Sequence, residues 1–420
     1  MEIRQRLCPV NPQTPIVRGV CGGTEEIIMT KAKLQTAQNL TRLGTESAFE
    51  VLARAEALKA EGHDVINLGI GQPDFKTPEH IVEAAVKALH DGHHGYTPAP
   101  GITQLREAVA AGIERLRGVR VDPGNIVCVP GGKVTMFFAI MMFGEAGAEI
   151  MYPNPGFPIY ESVINYSGAK AVPIPLVEEK NFSFDAEEVL SLITPATRLM
   201  IINTPANPTG GAVPRKEMDK LAAGLEAHPH VAILSDEIYG QMTYDGLEHV
   251  SLLEYEHLRD RLILLDGWSK TYAMTGWRLG YALWPESLVD MATRLAINCH
   301  SCVNAATQFA GMAALEGPQD SVHEMVRAFD ERRKIIVDEL NAINGFSCVT
   351  PKGAFYAFPN ISGTGQSARE VQDKLLTEAH VATVAGTSFG HLGENYVRFS
   401  YANSVENIRA ALTRVRKIYN

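Results

Sequence analysis

A lysine in a turn is the first residue of this sequence whose surroundings suggest chemistry. Lys270 follows the apolar run Leu262-Ile-Leu-Leu265 and lies between Ser269 and Thr271. The amine of a lysine can form a Schiff base with an aldehyde, and enzymes that depend on pyridoxal phosphate (PLP) use one in this way. Arg278 follows eight residues later, and its planar, charged guanidinium suits the phosphate of that cofactor. A lone Ser-Lys pair is more often an incidental surface turn, so the interpretation depends on the rest of the chain.

PLP chemistry also needs an electron sink, because the pyridine nitrogen of the cofactor stays protonated only beside a carboxylate. Asp236 follows the apolar run Val231-Ala-Ile-Leu234 and is the candidate, although an aspartate here could also cap a helix. Asn207 and Tyr239 would hydrogen-bond the phenolate oxygen of the cofactor, and singly they would more often be turn and packing residues. Phe157 would stack on the ring or, equally, belong to the core.

The phosphate of the cofactor needs backbone N–H donors at the N-terminus of a helix. Gly131 and Gly132 follow the strand-like run Ile126-Val-Cys-Val129 and precede an apolar helix, which is a suitable place. No Walker pattern is present, because Lys133 is followed by Val134 and no upstream glycine completes the spacing.

A regular alternation of short apolar runs and helical segments positions these residues. The predicted strands of this part are 126–129, 149–152, 199–202, 231–234 and 262–265. Short, continuous apolar runs between helices are typical of strands buried on both faces of a largely parallel sheet. The candidate residues follow the C-terminal ends of these strands, where open α/β sheets bind ligands. After about residue 305 the pattern changes to long helices at 324–340 and 368–380 and strand-like runs at 354–358 and 396–400, which predict a smaller α+β domain.

Composition excludes several classes of protein. The formal net charge of −10 argues against a nucleic-acid partner, and no apolar run has the length of a membrane span. Six cysteines in 420 residues do not make a disulfide scaffold. Cys299-His-Ser-Cys302 lacks a second pair for a zinc site, so we expect no metal and predict buried, reduced thiols in the cytoplasm. Residues 1–28 do not form a secretory signal and are expected to be a flexible extension or to result from the choice of start codon, since a second methionine, Met29, precedes the first helical pattern.

Seven motifs occur in the order of a known family: Gly71-Gln-Pro-Asp-Phe75, Tyr96-Thr-Pro-Ala-Pro-Gly101, Asn207-Pro-Thr-Gly210, Ser235-Asp-Glu-Ile-Tyr239, Ser269-Lys270, Gly276-Trp-Arg278 and Val397-Arg398. Across residues 40–418 the sequence resembles the class I/II, fold-type I PLP-dependent aminotransferases, in particular the aspartate and aromatic subgroup. The resemblance implies an α/β fold, in which a large domain has three layers around a mostly parallel sheet. The expected division is an N-terminal arm at 1–40, a small α+β domain at 41–75 and 306–420, and the PLP-binding domain at 76–305.

The resemblance also implies a role for each motif residue. Lys270 would be the Schiff-base lysine and the general base, and Asp236 would pair with the pyridinium. Asn207 and Tyr239 would hold the phenolate oxygen, with Asn207 also at the substrate. The remaining cofactor ligands would be Gly131, Gly132, Lys133, Ser269 and Arg278, with Phe157 over the ring.

Two further implications concern the substrate and a second subunit. Arg398, helped by the backbone at Gly71, would hold the α-carboxylate of the substrate. Tyr96 resembles the tyrosine that reaches the phosphate of the neighbouring subunit, which implies a homodimer. Gly267 departs from the pattern, because many relatives carry a phosphate-binding hydroxyl there, and a backbone N–H or a water would have to replace it.

The expected reaction moves an amino group between an L-amino acid, with aspartate preferred, and a 2-oxo acid such as 2-oxoglutarate by a ping-pong mechanism. Lys133 resembles the lysine that meets the distal carboxylate in aspartate and prephenate aminotransferases. Glu46 would instead repel a dicarboxylate, so aromatic, basic and small neutral donors stay open as alternatives. PLP-dependent C–S lyases, cyclopropane-carboxylate synthases and decarboxylases share the same cofactor residues. A non-enzymatic regulator with this fold would carry a basic winged-helix module, for which the leader is too short and lacks helical periodicity.

Overall fold

Twelve strands and twelve α-helices form the computed structural model, which describes residues 34–420. The strands are β1 (Ile66–Asn67), β2 (Ile126–Val129), β3 (Glu149–Asn154), β4 (Lys170–Pro175), β5 (Thr197–Asn203), β6 (Ala232–Asp236), β7 (Leu262–Gly267), β8 (Gly280–Leu283), β9 (Tyr356–Ala357), β10 (Val381–Ala382), β11 (Val384–Ala385) and β12 (Val397–Ser400). The helices are α1 (Ser47–Ala60), α2 (Glu79–His90), α3 (Thr103–Arg117), α4 (Lys133–Phe143), α5 (Ile159–Ser167), α6 (Ala186–Ser191), α7 (Arg215–Leu225), α8 (Glu286–His300), α9 (Ala305–Glu316), α10 (Asp320–Asn341), α11 (Ala368–Thr377) and α12 (Val405–Tyr419). The expected extension at 1–28 lies outside the described residues.

The central sheet has seven strands in the order β2-β8-β7-β6-β5-β3-β4. β8 runs antiparallel to β2 and β7, and all other neighbouring strands of this sheet are parallel. The five predicted strands are confirmed, whereas the apolar pattern did not predict β4 and β8. β4 contains Pro173 and Pro175, which remove ladder donors, and it is tolerated because it is the edge strand that pairs with β3 alone.

Alternate residues of the central strands face opposite layers of helices. In β7, Leu262 and Leu264 contact the core beneath α2, α3, α7 and α9, whereas Ile263 and Leu265 contact the core beneath α4, α5 and α8. All four side chains are at most 2% exposed. Because both faces of the sheet are covered, the sequences of these strands are continuous apolar runs. The predicted three-layer α/β fold is therefore confirmed.

A second group of elements surrounds a separate apolar core. Strand β1 pairs with β10, and β12 lies between β9 and β11. Helices α10, α11 and α12 cover these strands with buried residues such as Phe329, Leu375 and Ile408. The expected domain boundaries stay a prediction. Helix α9, which they assign to the smaller domain, packs against α2 and α3 of the larger one.

The prediction that the Cys299 and Cys302 thiols are buried is wrong. Both are free; Cys299 is exposed and Cys302 is half-buried. The buried part of α8 ends at Ala296, so its last turn and the following loop remain at the surface. A cytoplasmic location stays a prediction. Across residues 34–420, no helix combines the length and the apolar character that crossing a membrane requires.

Candidate active site

A cavity of about 490 Å³ opens at the C-terminal ends of β5, β6 and β7. Its wall brings together most of the predicted site residues: Gly71, Gly132, Lys133, Phe157, Asn207, Asp236, Tyr239, Ser269, Lys270, Arg278 and Arg398. Gly131 lies directly behind this wall, against Arg278. Tyr96 does not line the cavity and is 93% exposed. Residues separated by more than 300 positions thus meet at the strand ends, as the parallel sheet predicts.

Lys270 lies in the turn that follows β7. Its Nζ donates a hydrogen bond to the carbonyl oxygen of Gly71. Burial, together with the nearby positive charge of Arg398, lowers the pKa of this amine to about 7. Near neutral pH a substantial fraction of Lys270 is therefore the neutral amine, which is the form that attacks an aldehyde and accepts a proton.

Asp236 ends β6 and is 2% exposed. Its Oδ2 accepts a hydrogen bond from the hydroxyl of Tyr160 at 2.5 Å, and its Oδ1 accepts one from the backbone N–H of Ile238 at 3.3 Å. Burial raises the pKa of Asp236 to about 6 in spite of these two donors. None of the side-chain cations among residues 34–420 forms a salt bridge with it. The carboxylate therefore suits a cationic ligand in the cavity, such as a protonated pyridine nitrogen.

An anion site lies at the N-terminus of α4. Gly131 has a φ of +91°, and a Cβ on it would lie 2.0 Å from Nη2 of Arg278, so only glycine permits this approach. Arg278 is held there by donating to the carbonyl oxygens of Thr275 at 2.8 Å and Pro130 at 3.4 Å. The guanidinium and the N-terminus of the helix favour a phosphate, although the N–H of Gly131 itself donates to the carbonyl oxygen of Val129 at 2.7 Å. Ser269 adds a hydroxyl to the same wall.

The departure at Gly267 has a steric cause. Gly267 pairs across the sheet with Gly280, and a Cβ on Gly267 would lie 2.9 Å from the Cα of Gly280. A serine or threonine does not fit without moving β8. The N–H of Gly267 donates to Oδ1 of Asp266 at 2.7 Å, so this N–H is already used. The replacement of the missing hydroxyl by another backbone N–H or by a water stays a prediction.

Arg398 reaches the cavity from β12 and is 3% exposed. It donates to Oδ1 of Asn207 at 2.8 Å and to the carbonyl oxygen of Gly69, and its Nε is buried without a partner. Its guanidinium lies between the rings of Tyr356 and Phe389, 4.6 and 4.7 Å from their centroids. Burial lowers its pKa, and no carboxylate of residues 34–420 forms a salt bridge with it. A buried, unpaired guanidinium suits a carboxylate ligand.

The backbone at Gly71 differs from the expectation in detail. Its carbonyl oxygen contacts Lys270, whereas the carbonyl that contacts Arg398 belongs to Gly69. A Cβ on Gly71 would lie 2.2 Å from the hydroxyl of Tyr356, which explains the glycine.

Two tyrosines of the site were not predicted. The hydroxyl of Tyr356 lies 2.8 Å from that of Tyr239, and Tyr160 donates to Asp236. Tyr356 belongs to a run that was predicted only as a strand. Tyr160 belongs to a helix, and the sequence pattern of an apolar helix face does not show whether a tyrosine hydroxyl on that face has a hydrogen-bond partner. Only its position three residues after Phe157 placed it near the site.

Lys133 and Glu46, which gave opposite expectations about the substrate, contact one another. Lys133 begins α4, and its Nζ forms an ion pair with the Glu46 carboxylate. The same Nζ lies 5.3 Å from the ring centre of Phe157 and 5.7 Å from that of Phe49. Phe157 also meets Tyr160 edge to face, 5.8 Å between centres. The predicted lysine therefore lines the cavity, but with a countercharge beside it.

These features fit PLP: an amine of lowered pKa, an anion site built on a glycine that no other residue can replace, and a buried carboxylate without a cation. Comparison with known proteins agrees. The family model for "Aminotransferase class I and II" matches residues 63–415. A relative from Geobacillus stearothermophilus called "Aspartate aminotransferase" is 37% identical over 390 residues, covering 91% of this chain and 98% of its own length.

A second relative and a solved structure are also similar to this chain. "Aromatic-amino-acid aminotransferase 2" of Thermococcus litoralis is 39% identical over 357 residues, with 84% of this chain and 91% of that protein covered. The solved structure of aspartate aminotransferase from Thermus thermophilus with maleate superposes with a TM-score of 0.87 at 32% identity, covering 92% of this chain and all of that one. The chain therefore belongs to the class I and II aminotransferases and is a PLP-dependent transaminase.

Proposed function

We propose that Lys270 is the catalytic amine of this transaminase and that Asp236 and the α4 anion site hold its cofactor. When bound, PLP supplies an aldehyde carbon and a ring that withdraws electrons from the bonds at the substrate Cα. Lys270 Nζ would take the proton from the substrate Cα and pass it to the former aldehyde carbon, as a 1,3-prototropic shift requires. The negative charge of Asp236 keeps a proton on the ring nitrogen, and Asn207 and Tyr239 bind the phenolate oxygen. Gly131, Gly132, Ser269 and Arg278 bind the phosphate, while Phe157 lies against the ring.

The preferred donor in this proposal is aspartate, with 2-oxoglutarate as the acceptor. The observation that carries it is that two cations line one cavity: Arg398, which has no carboxylate partner in the described chain, and Lys133. A dicarboxylic substrate can meet Arg398 with its α-carboxylate and Lys133 with its distal one. Relatives called aspartate aminotransferase support this assignment, as does the Thermus enzyme solved with maleate, a dicarboxylate.

Aromatic or other neutral donors are the second candidate. The ion pair with Glu46 already compensates the charge of Lys133, and Phe49 and Phe157 provide apolar surface beside it. A neutral side chain can lie against these rings without opening the pair, whereas a distal carboxylate has to compete with Glu46. The aromatic aminotransferase from Thermococcus litoralis supports this alternative.

A half-reaction screen distinguishes the two. Each amino acid is added to the PLP form, and conversion to the pyridoxamine form is followed by absorbance. We expect Lys133→Ala to lower kcat/KM for aspartate about ten- to a hundred-fold, because one charge-assisted hydrogen bond is lost, and to spare phenylalanine. Lys170→Ala is the matched control: Lys170 is also paired with a glutamate, but it begins β4 at the opposite end of the sheet. Preference of the wild type for an aromatic donor, or an equal loss for all donors, contradicts the aspartate proposal.

We also propose a homodimer in which Tyr96 completes the site of the other subunit. Its side chain is 93% exposed, and four apolar residues on α4 and α8 are also between 37% and 53% exposed: Phe137, Met141, Met291 and Ile297. Such surfaces commonly become buried between subunits. In the proposed dimer, mixing inactive Tyr96→Ala with inactive Lys270→Ala restores part of the activity, because the mixed dimer contains one complete site. A monomeric wild type, or no recovery after subunit exchange, contradicts it.

A further inference from the structure

A tyrosine outside the predicted set donates a hydrogen bond to Asp236, the proposed partner of the pyridine nitrogen. Tyr160 lies in the first turn of α5 with 0% exposure, and its hydroxyl donates to Oδ2 of Asp236 at 2.5 Å. The only other donor to this carboxylate among residues 34–420 is the N–H of Ile238, at 3.3 Å from Oδ1. A short side-chain hydrogen bond on one oxygen restricts rotation of the carboxylate about its Cβ–Cγ bond. Tyr160 therefore determines how Asp236 is presented to the cavity.

The hydroxyl also affects the charge of Asp236. The ionisable groups around this carboxylate are Glu237 and Tyr239 after β6, Asp266 on β7 and Tyr160 on α5. Burial and the two carboxylates raise the pKa of Asp236, whereas Tyr160 is the main group that opposes the increase. Arg117, a buried cation, pairs with Glu237 and Asp266 and not with Asp236. Burial, followed by the charge of Asp236, raises the pKa of Tyr160 far above its usual range, so it remains a neutral donor.

We propose that Tyr160 is a positioning residue whose hydroxyl keeps Asp236 charged and oriented toward the protonated ring nitrogen of the cofactor. This rests on the proposed role of Asp236. It goes beyond it by assigning the electrostatic control of the carboxylate to a residue of another layer. Tyr160 itself transfers no proton in the reaction.

The test is Tyr160→Phe, which removes the hydroxyl and keeps the ring that packs edge to face on Phe157. The first readout is the dissociation constant of PLP from the full-length apoenzyme, measured against pH. We expect the dissociation constant to increase about tenfold at neutral pH, because one hydrogen bond to a charged group is lost. We further expect the acidic side of the binding curve to move to higher pH, because Asp236 protonates more easily. In steady-state turnover, kcat should fall by a larger factor than KM changes, because Arg398 still holds the substrate carboxylate.

Tyr152→Phe is the matched control. Tyr152 is 4% exposed on β3, and its hydroxyl accepts a hydrogen bond from Asn154 at 3.3 Å with no contact to Asp236. Its binding curve should keep the wild-type pH dependence. A Tyr160→Phe protein that is as stable as wild type and binds PLP with an unshifted curve overturns the inference.

Two further variants keep the test decisive. In an Asp236→Asn background, Tyr160→Phe should change PLP affinity no further; a full additional loss means that Tyr160 acts elsewhere. If Asp236→Asn alone leaves PLP affinity and activity unchanged, the proposed role of Asp236 fails instead. If Tyr160→Phe does not fold, 3-fluorotyrosine at position 160, a stronger donor, should move the acidic side of the curve to lower pH. No movement overturns the proposal.

Discussion

Asp236 and Glu237 are neighbours in the chain and experience opposite electrostatic environments. Both are buried, at 2% and 1% exposure. Burial raises the pKa of Asp236 to about 6. Burial acts in the same direction on Glu237, but Arg117 and His249 overcome it, and the pKa of Glu237 falls to about 2. Because neighbouring residues at a strand end point to opposite sides of the sheet, one carboxylate faces the cavity and the other faces the layer of α3.

The partners of Glu237 come from four places in the chain. Arg117 on α3 donates from Nε at 2.8 Å, and His249 Nε2 lies 2.8 Å away. Ser235 and Ser251 donate to its other oxygen at 2.9 and 2.8 Å. Arg117 also bonds Asp266 at 2.7 Å, so a single guanidinium serves two buried acids. Every acceptor site of Glu237 is thus satisfied within the protein.

The contrast separates a structural carboxylate from one that suits a ligand. The chain supplies Glu237 with a cation and three other partners, whereas it supplies Asp236 with two neutral donors and no cation. A buried charge without a countercharge destabilises a protein, so the arrangement at Asp236 becomes favourable only when a cation occupies the cavity. We expect the two residues to respond differently to substitution, Asp236 in activity and the Glu237 network in stability.

The largest effect is expected for Asp236→Asn. Without the carboxylate the ring nitrogen loses its proton near neutral pH, and transamination should fall by about two to four powers of ten. The melting temperature of the apoenzyme should stay the same or rise, because an unpaired buried charge is removed. Steady-state kinetics and calorimetry measure the two quantities. More than about a tenth of the wild-type rate would mean that another group serves the nitrogen.

Arg117→Met should have the opposite effect on stability, which it should lower. It leaves Glu237 and Asp266 buried without their cation, and removing one partner of a buried ion pair costs about 3–5 kcal/mol of unfolding free energy. Urea denaturation of the apoenzyme measures the loss. The control is Arg120→Met, since Arg120 is also paired with a glutamate but has 88% of its side chain exposed, and should change stability by less than about 1 kcal/mol. Equal losses for the two variants would remove the distinction between the buried network and the surface.

The sequence predicted the position of Asp236 and the fold, but it did not predict the partners of the two acids. Asp236 was identified because it follows an apolar run within a motif, and the three-layer fold followed from the spacing of such runs. The partners were not predictable: Tyr160 is 76 positions from Asp236, and Arg117 is 120 from Glu237. Tertiary packing brings them together, and nothing local in a helix distinguishes an arginine that enters the core from one that stays in water. The pairing of Lys133 with Glu46 was missed for the same reason, since each was interpreted alone.

The pH dependence of stability should distinguish the two acids by sign. Asp236 has a pKa raised from 3.8 to about 6 in the folded protein, so its contribution to stability is present below pH 3.8 and is lost as the pH rises to 6. Glu237 has a pKa lowered from 4.5 to about 2, so its contribution is present above pH 4.5 and is lost as the pH falls to 2. Between pH 4.5 and 7, apo Asp236→Asn should therefore gain on the order of 2 kcal/mol relative to wild type. A constant difference across that range would show that Asp236 is not perturbed.

The smallest effect is expected for His249→Gln, which tests how evenly the Glu237 network is shared. His249 is one of four partners of Glu237, and its side chain is 12% exposed, whereas that of Arg117 is 5% exposed. Glutamine can donate one hydrogen bond to the same oxygen, so the loss of unfolding free energy should be about 1 kcal/mol, well below that of Arg117→Met. Because the network does not face the cavity, kcat and the affinity for PLP should stay at the wild-type values. Urea denaturation and PLP titration of the same preparation measure both. If His249→Gln weakens PLP binding, the Glu237 network and the cofactor site are coupled through β6, and the separation between the two carboxylates does not hold.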